Sequence, residues 1–433
     1  MLLIYLPAIT PRTGYVFDLI LNNELGIEYT ATTNIKEFKE YGQEKINYSS
    51  ARFGEEIFIK ASSLLFGHSI QKINIPRENN EKATLLFPND TSCDIGFDIF
   101  AAVFYMVSRY EEYFSFNPDK HGRFKAVESL AYRNNFLQYP VVNIWIKYLK
   151  NKLKEKFPSF QFKSSSFKAI VTYDIDIAYA FKGRNIFRLA GATVKDFLRL
   201  KFRNILKRFN SLLSSNDPWD IYDSLKTTIK KSKLTSIFFF LLGDYSKYNK
   251  NLKYDHPLML ELIKKISSFS DIGIHPSYTS SEIPEKILIE KTRLEKISNK
   301  EINKSRQHYL RFNLPDTYNQ LLQAGITEDY SMGFADMPGF RAGTCSPFYF
   351  YDLKNERTTN LKVFPTAFMD ANFLHYAKLS PSESLKVILA LINEVKSVDG
   401  TLISIWHNNT LSDDGIYKGW KSVHEEMIKR ISQ

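Results

Sequence analysis

The sequence predicts an α/β protein, with a smaller α/β unit over residues 1–160 followed by a longer unit over 167–433. Three observations predict it. From residue 167 onward, short β-branched or aromatic runs alternate with amphipathic stretches, and alternation of that length argues for a parallel sheet or a (β/α) barrel. At 433 residues the chain exceeds one typical domain, and Pro158 with the polar KSSS at 163–166 marks a linker. Hydrophobic content of 44% and charged content of 24% are ordinary for a folded chain. The 34 Phe and 25 Tyr supply large cores and aromatic walls for a groove.

In the first unit, residues 2–9 read as a strand and 14–25 as a helix. A long amphipathic helix is expected over 97–113, because apolar side chains recur at helical spacing and charges gather at its end. A second is expected over 141–156, finishing in lysines. In the second unit the strand-like runs are 167–174, 236–244, 271–275, 305–310, 326–331, 362–370 and 401–407. Helices are expected over 219–230, 257–269, 284–297, 315–324, 382–395 and 420–431.

The formal charge of +11 favours anionic partners. No helix-turn-helix, RRM-like or zinc-finger pattern accompanies it, so no nucleic-acid partner is expected. Cys93 and Cys345 lie far apart and match no Cys-based zinc spacing. The opening MLLIYLPAITPRTGY lacks a basic leader and a small-residue cleavage site, and it reads as a first strand. No run approaches the ~20 apolar residues of a membrane span, so a cytoplasmic protein is the expectation. Residues 181–215 are rich in Lys and Arg, with apolar residues at helical spacing. Such a segment reads as a basic helix on the barrel surface, or as a peripheral membrane contact that attracts an anionic or lipid-linked glycan.

Ligating residues cluster where the apolar runs stop. Asp174 and Asp176 close the first, Asp244 the second, His275 the third and His308 the fourth; Asp329 sits in the fifth, Asp370 ends the sixth and His407 the last. In a (β/α) barrel the C-terminal strand ends converge on one face, where active sites are built. A lone Asp after a strand is often a helix cap, and a lone His is often structural. Two carboxylates with two imidazoles, however, suit Zn²⁺ or a similar divalent ion with one carboxylate left as base. A third His then remains for proton transfer. Of the eight histidines, the other five (His68, His121, His256, His375, His424) look dispersed. Asp-Ile-Asp at 174–176 also resembles the DxD of nucleotide-sugar glycosyltransferases, a reading that leaves the three strand-end histidines without a common role.

At these residues the chain resembles the polysaccharide deacetylases, the NodB-homology or carbohydrate esterase family four enzymes, over about 167–410. VTYDID is similar to their Thr-Phe-Asp-Asp motif, GIHPSY to the start of His-x-x-x-His, GFRAGTCSPF to the arginine motif and LISIWH to the histidine motif. Over its whole length the chain also resembles a group of proteins from Bacteroidetes-type bacteria assigned as deacetylases, which share SRYEEY, DKHGRF, SRQHYL and EDYSMG. The resemblance implies a distorted (β/α) barrel of the polysaccharide-deacetylase type. It implies a hydrolase removing N-acetyl or O-acetyl groups from a carbohydrate in cell-surface glycan metabolism, with one divalent metal, zinc first and Co, Ni or Mn as alternatives.

Two departures alter the site. Ile175 separates the aspartates, which puts both side chains on one side of a strand, so either carboxylate is available as the ligand. Thr279 stands where the second His of His-x-x-x-His belongs, and His308 on the neighbouring strand, only ~5 Å away, is its replacement. Carried over on that basis, the resemblance implies Asp176, His275 and His308 as metal ligands and Asp174 as base. It further implies that Arg341 orients Asp174 and that His407 is the general acid. Tyr173, Trp406 and Asp329 are expected to meet the sugar. A DxD-type glycosyltransferase and a catalytically inactive glycan-binding barrel are the alternatives.

Overall fold

The structure, a computed structural model, describes residues 1–78, 84–183 and 216–433. All of the basic 181–215 segment except 181–183 lies outside the described residues. Among the described residues, no helix is long and apolar enough to cross a membrane.

The chain opens on a four-stranded parallel sheet made of β1 (Leu2–Tyr5), β2 (Tyr29–Thr32), β3 (Lys45–Ser49) and β4 (Ile57–Lys60), in the order β2-β1-β3-β4. The helix expected over 14–25 begins earlier, at Pro11–Phe17, where Thr10 and Thr13 form a reciprocal N-terminal cap, and it continues as a π-helical stretch over Asp18–Leu25. Two short strands, β5 (Arg77–Glu78) and β6 (Leu85–Leu86), pair antiparallel. The helix expected over 97–113 stops at Ile99–Val107, all of it buried. Arg109 adopts φ 54° and a 3₁₀ turn covers Tyr110–Tyr113. That break lets Arg109 fold back onto Glu111 and Glu112.

The larger sheet has nine strands. They are β7 (Lys168–Ile175), β8 (Thr235–Phe240), β9 (Asp271–Ile274), β10 (Lys304–Ser305), β11 (Glu328–Asp329), β12 (Phe348–Asp352), β13 (Arg357–Val363), β14 (Phe368–Met369) and β15 (Thr401–His407). Their order is β12-β13-β11-β10-β9-β8-β7-β15-β14, parallel throughout except for the β12–β13 hairpin. Two runs expected as longer strands shrink to the two-residue β10 and β11, so His308 lies in a turn beyond its strand.

Among the described residues the expected barrel is not closed: its edge strands, β12 and β14, do not pair with each other, and β13 is flanked by β11 and by the unforeseen β12. Pro365, between β13 and β14, has no N–H to offer a ladder. The amides around it turn to other partners: Phe364 donates to Asp329, Thr366 to Met332 and Ala367 to Ile403. The sheet is nonetheless strongly curled. Arg306, next to β10, reaches Asp174 on β7, three strands away, and lies over the Phe239 ring of β8. Ile170, Ile237, Phe239, Tyr330, Phe364 and Ile403 pack together inside the curl.

Successive strand residues face opposite sides, so Tyr173 and Trp406, the neighbours of Asp174 and His407, point away from the concave side. Both are fully buried. The Tyr173 ring stacks on Phe238 and its hydroxyl lies 3.0 Å from Nε2 of His424, while Trp406 packs edge-on against the same histidine. They are core residues, which corrects the expectation that they meet a sugar.

The two sheets share one continuous hydrophobic cluster. Polar ties also cross between them: Arg12 to Glu356, Arg341 to Glu112, and Asn143 to Thr344, Cys345 and Ser346.

Candidate active site

A cavity of about 390 Å³ opens at the C-terminal ends of the central strands, and Asp174, Asp176, His275, His308 and His407 all line it. Asp176 sits just past the end of β7, and three imidazoles surround it. Nε2 of His275 lies 3.1 Å from its Oδ1, while Nε2 of His308 and Nε2 of His407 lie 3.4 and 3.6 Å from its Oδ2. Burial pushes the Asp176 carboxyl upward, but the neighbouring imidazoles of His308, His275 and His407 outweigh it and hold the group well below the usual range.

The donor set fits a divalent cation. Among the described residues, Asp176, His275 and His308 form the one group of metal-ligating side chains, with ligand atoms all within 4.8 Å of one another. Metal–ligand bonds of about 2.1 Å put neighbouring ligands of one ion roughly 3–3.5 Å apart, which the distances from Asp176 to His275 and His308 match. Oδ1 of Asp176 is buried with no hydrogen-bond partner despite its closeness to His275. That orphaned oxygen suits a coordination bond. Nδ1 of His275 lies 2.5 Å from the Arg306 carbonyl oxygen; a carbonyl only accepts, so Nδ1 carries the proton and the Nε2 lone pair faces Asp176.

Two carboxylate pairs flank this triad. On one side the Arg306 guanidinium donates from Nη1 to Asp174 Oδ1 at 2.8 Å and to the Thr172 hydroxyl, and from Nε to the Tyr330 carbonyl. On the other side Asp370 Oδ1 lies 2.7 Å from His407 Nδ1, and its Oδ2 accepts the His407 backbone N–H at 2.8 Å. The register places β14 beside β15, so Asp370 and His407 meet as neighbours at adjacent strand ends. Burial works against a charge on His407, yet the Asp370 carboxylate, with Asp176 and Asp174, pushes its pKa up to about 10. Burial depresses His308, with Asp176 offsetting it in part, while His275 is raised because Asp174 and Asp176 outweigh desolvation.

Besides Tyr173 and Trp406, two further expected site residues lie elsewhere. Arg341 does not touch Asp174; its guanidinium grips both oxygens of Glu112 at 2.9 and 2.6 Å and lies over the Phe312 ring. Burial raises Glu112, but Arg341 and Arg109 together bring its pKa down to about 2. Asp329 is fully buried and accepts from the Ser305 and Ser331 hydroxyls and the Ser331 amide, which makes it a brace between β10 and the turn after β11. Sequence reasoning missed Arg306, the residue actually on Asp174. One signal for it existed: SRQHYL places a cation two residues before His308, where a buried carboxyl such as Asp174 needs a partner.

Residues 2–158 match a Family of unknown function (DUF7033). No curated protein matches the sequence. Similar solved structures include a Mycobacterium smegmatis protein assigned as a polysaccharide deacetylase (14% identity, 62% of this chain and 85% of that one, TM-score 0.41). They also include the polysaccharide deacetylase Bc1974 from Bacillus cereus (10% identity, 62% and 88%, TM-score 0.30) and a CE4 family pseudoenzyme from Bacillus anthracis (9% identity, 66% and 77%, TM-score 0.32). Likenesses this distant leave the functional conclusion to the chemistry of the site.

Proposed function

We propose that this chain is a metal-dependent hydrolase that removes acetyl groups from a carbohydrate, N-acetyl groups foremost. The observation that carries the reading is the convergence of His275 and His308 on Asp176, between a carboxylate held by arginine and a histidine held by carboxylate. A divalent ion on those three side chains, zinc being the best match to one carboxylate and two imidazoles, supplies Lewis-acid polarisation of the acyl oxygen and a more acidic water. Asp174 is the base: it lines the pocket with Arg306 anchoring its Oδ1, and it takes the proton of the attacking water. His407, cationic at neutral pH, donates from Nε2 to the departing nitrogen, with Asp370 fixing its Nδ1. An amine leaves poorly without a proton, so a poised imidazolium favours the N-acetyl substrate over an ester.

The exposed Lys120 lines the pocket, and its positive charge supports an anionic group on the sugar. A DxD glycosyltransferase gains nothing from three imidazoles on its second aspartate. An inert binding barrel has no use for the Asp174–Arg306 and His407–Asp370 pairs.

The test is metal analysis combined with acetate release from a panel of N-acetylated glycans, native protein against Asp174→Asn. The expected outcome is chelator-sensitive acetate release that falls about 10²–10⁴-fold in Asp174→Asn while bound metal is retained. Metal uptake without acetate release from any glycan would point to the inert barrel. Nucleotide-sugar turnover with Mn²⁺ that survives His308→Ala would point to the transferase.

A further inference from the structure

We propose that the loop 119–124 of the N-terminal unit is one wall of the metal pocket, and that Arg123 is the positioning residue that aims His308 at the ion. The inference rests on the metal-dependent reading above and gives the N-terminal unit a task within it. Lys120, His121 and Arg123 line the same cavity as Asp176, His275 and His308.

His308 has the greatest need of outside support. His275 is oriented through its second nitrogen by the Arg306 carbonyl, and His407 by Asp370. Nδ1 of His308 is buried with no partner, so its own ring hydrogen bonds do not orient it. It also sits on a turn with unfavourable backbone geometry. Tyr309 and Leu310 follow it at φ 62° and φ 50°, two consecutive non-glycine residues in the left-handed region. Such a turn persists only where its surroundings over-determine it.

The N-terminal loop supplies that restraint. The buried Arg123 guanidinium is anchored on Asp119 through Nε and Nη2, at 2.9 and 2.6 Å. From there Nη1 donates to the Tyr309 carbonyl at 2.6 Å and Nη2 to the Tyr376 hydroxyl at 2.7 Å. The restraint is reciprocal, because Arg311, on the far side of the same turn, donates from Nε to the His121 carbonyl at 2.9 Å and from Nη1 to the Tyr278 carbonyl. The turn carrying His308 is therefore pinned at Tyr309 and at Arg311, in both places by the N-terminal loop.

The test is titration of the metal-free full-length protein with Co²⁺, read by visible absorption, and with Zn²⁺, read by competition with a chelating dye. Wild type, Arg123→Ala, Arg123→Lys, Asp119→Asn and Asn143→Ala are compared alongside their thermal midpoints. Asn143 ties the two units together through residues that do not line the pocket, so it reports general loosening. The expected result is a 10–100-fold weaker affinity and an altered Co²⁺ spectrum in Arg123→Ala, with a smaller loss in Arg123→Lys and Asp119→Asn. Asn143→Ala is expected to lower the midpoint and leave affinity unchanged. Wild-type affinity and spectrum in the Arg123 and Asp119 variants would overturn the clamp while leaving the metal reading intact, and so would equal weakening in Asn143→Ala. A wild type that takes up neither ion would overturn the metal reading itself. Should Arg123→Ala fail to fold, Arg123→Lys and Asp119→Asn decide the outcome.

Discussion

Arg306 and Arg341 are both buried arginines of the larger unit, and of the two only Arg306 reaches a pocket-lining residue. Arg306 binds Asp174, whereas Arg341 binds Glu112 some distance from the pocket. Both belong to ion pairs sealed from water, and removing one partner of such a pair leaves an uncompensated charge that destabilises by about 3–5 kcal/mol. What separates them is chemistry. Arg306→Lys keeps the charge but loses the planar fork that spans Asp174, Thr172 and Tyr330. It is expected to lower kcat for acetate release at least tenfold with metal content unchanged. Arg341→Lys is expected to lower the urea midpoint while kcat stays within about twofold. The opposite pattern in those two measurements would return the orienting role to Arg341.

At the scale of the element, strand alternation decides which side chains reach the pocket. Asp174 and Thr172 face the concave side of β7, with Tyr173 between them facing the outer core. The same rule makes Gly273 on β9 necessary. A Cβ there would stand 2.5 Å from the Phe239 ring and 2.8 Å from the Lys304 carbonyl, and Phe239 is the ring on which Arg306 lies. Gly273→Ala is therefore expected to destabilise by about 1–3 kcal/mol through overpacking and to disturb the arginine that holds Asp174. The urea midpoint and kcat should fall together, and a variant matching wild type in both would show that the ring has room to move.

At the scale of the whole molecule, one core runs beneath both sheets, and some of its polar groups are held neutral. Burial depresses His424 to about 3, with Asp370 opposing in part. In the unfolded chain a histidine titrates near about 6.5. A depressed folded value means the unfolded state binds the proton first, so this contribution is fully present above about pH 6.5 and is lost as pH falls toward 3. Each pH unit in that window removes about 1.4 kcal/mol. His424→Gln is expected to reduce the difference in unfolding free energy between pH 7 and pH 5 by roughly 2 kcal/mol. An unchanged difference between the two pH values would mean that other groups set the acid limb.

The α/β class, the strand-helix order beyond residue 167 and the gathering of Asp174, Asp176, His275, His308 and His407 at strand ends were legible in the sequence. They follow from local hydrophobic periodicity and from residue type, which the chain carries on its face. Alternation alone could also have turned Tyr173 and Trp406 away from the pocket, since each is one residue from a pocket-facing side chain. Other features depend on partners far apart in sequence. The β12 hairpin takes one edge of the larger sheet, and no local pattern announces which edge a strand will take. Arg306 and Arg341 are alike as letters, and only the curl of the sheet brings one to Asp174 and leaves the other on Glu112. His308 is a strand-end histidine in the sequence. In the folded chain it stands on a left-handed turn pinned by Arg123, a contact across 186 positions of sequence, because a turn that unfavourable is held by tertiary contacts rather than by its own residues.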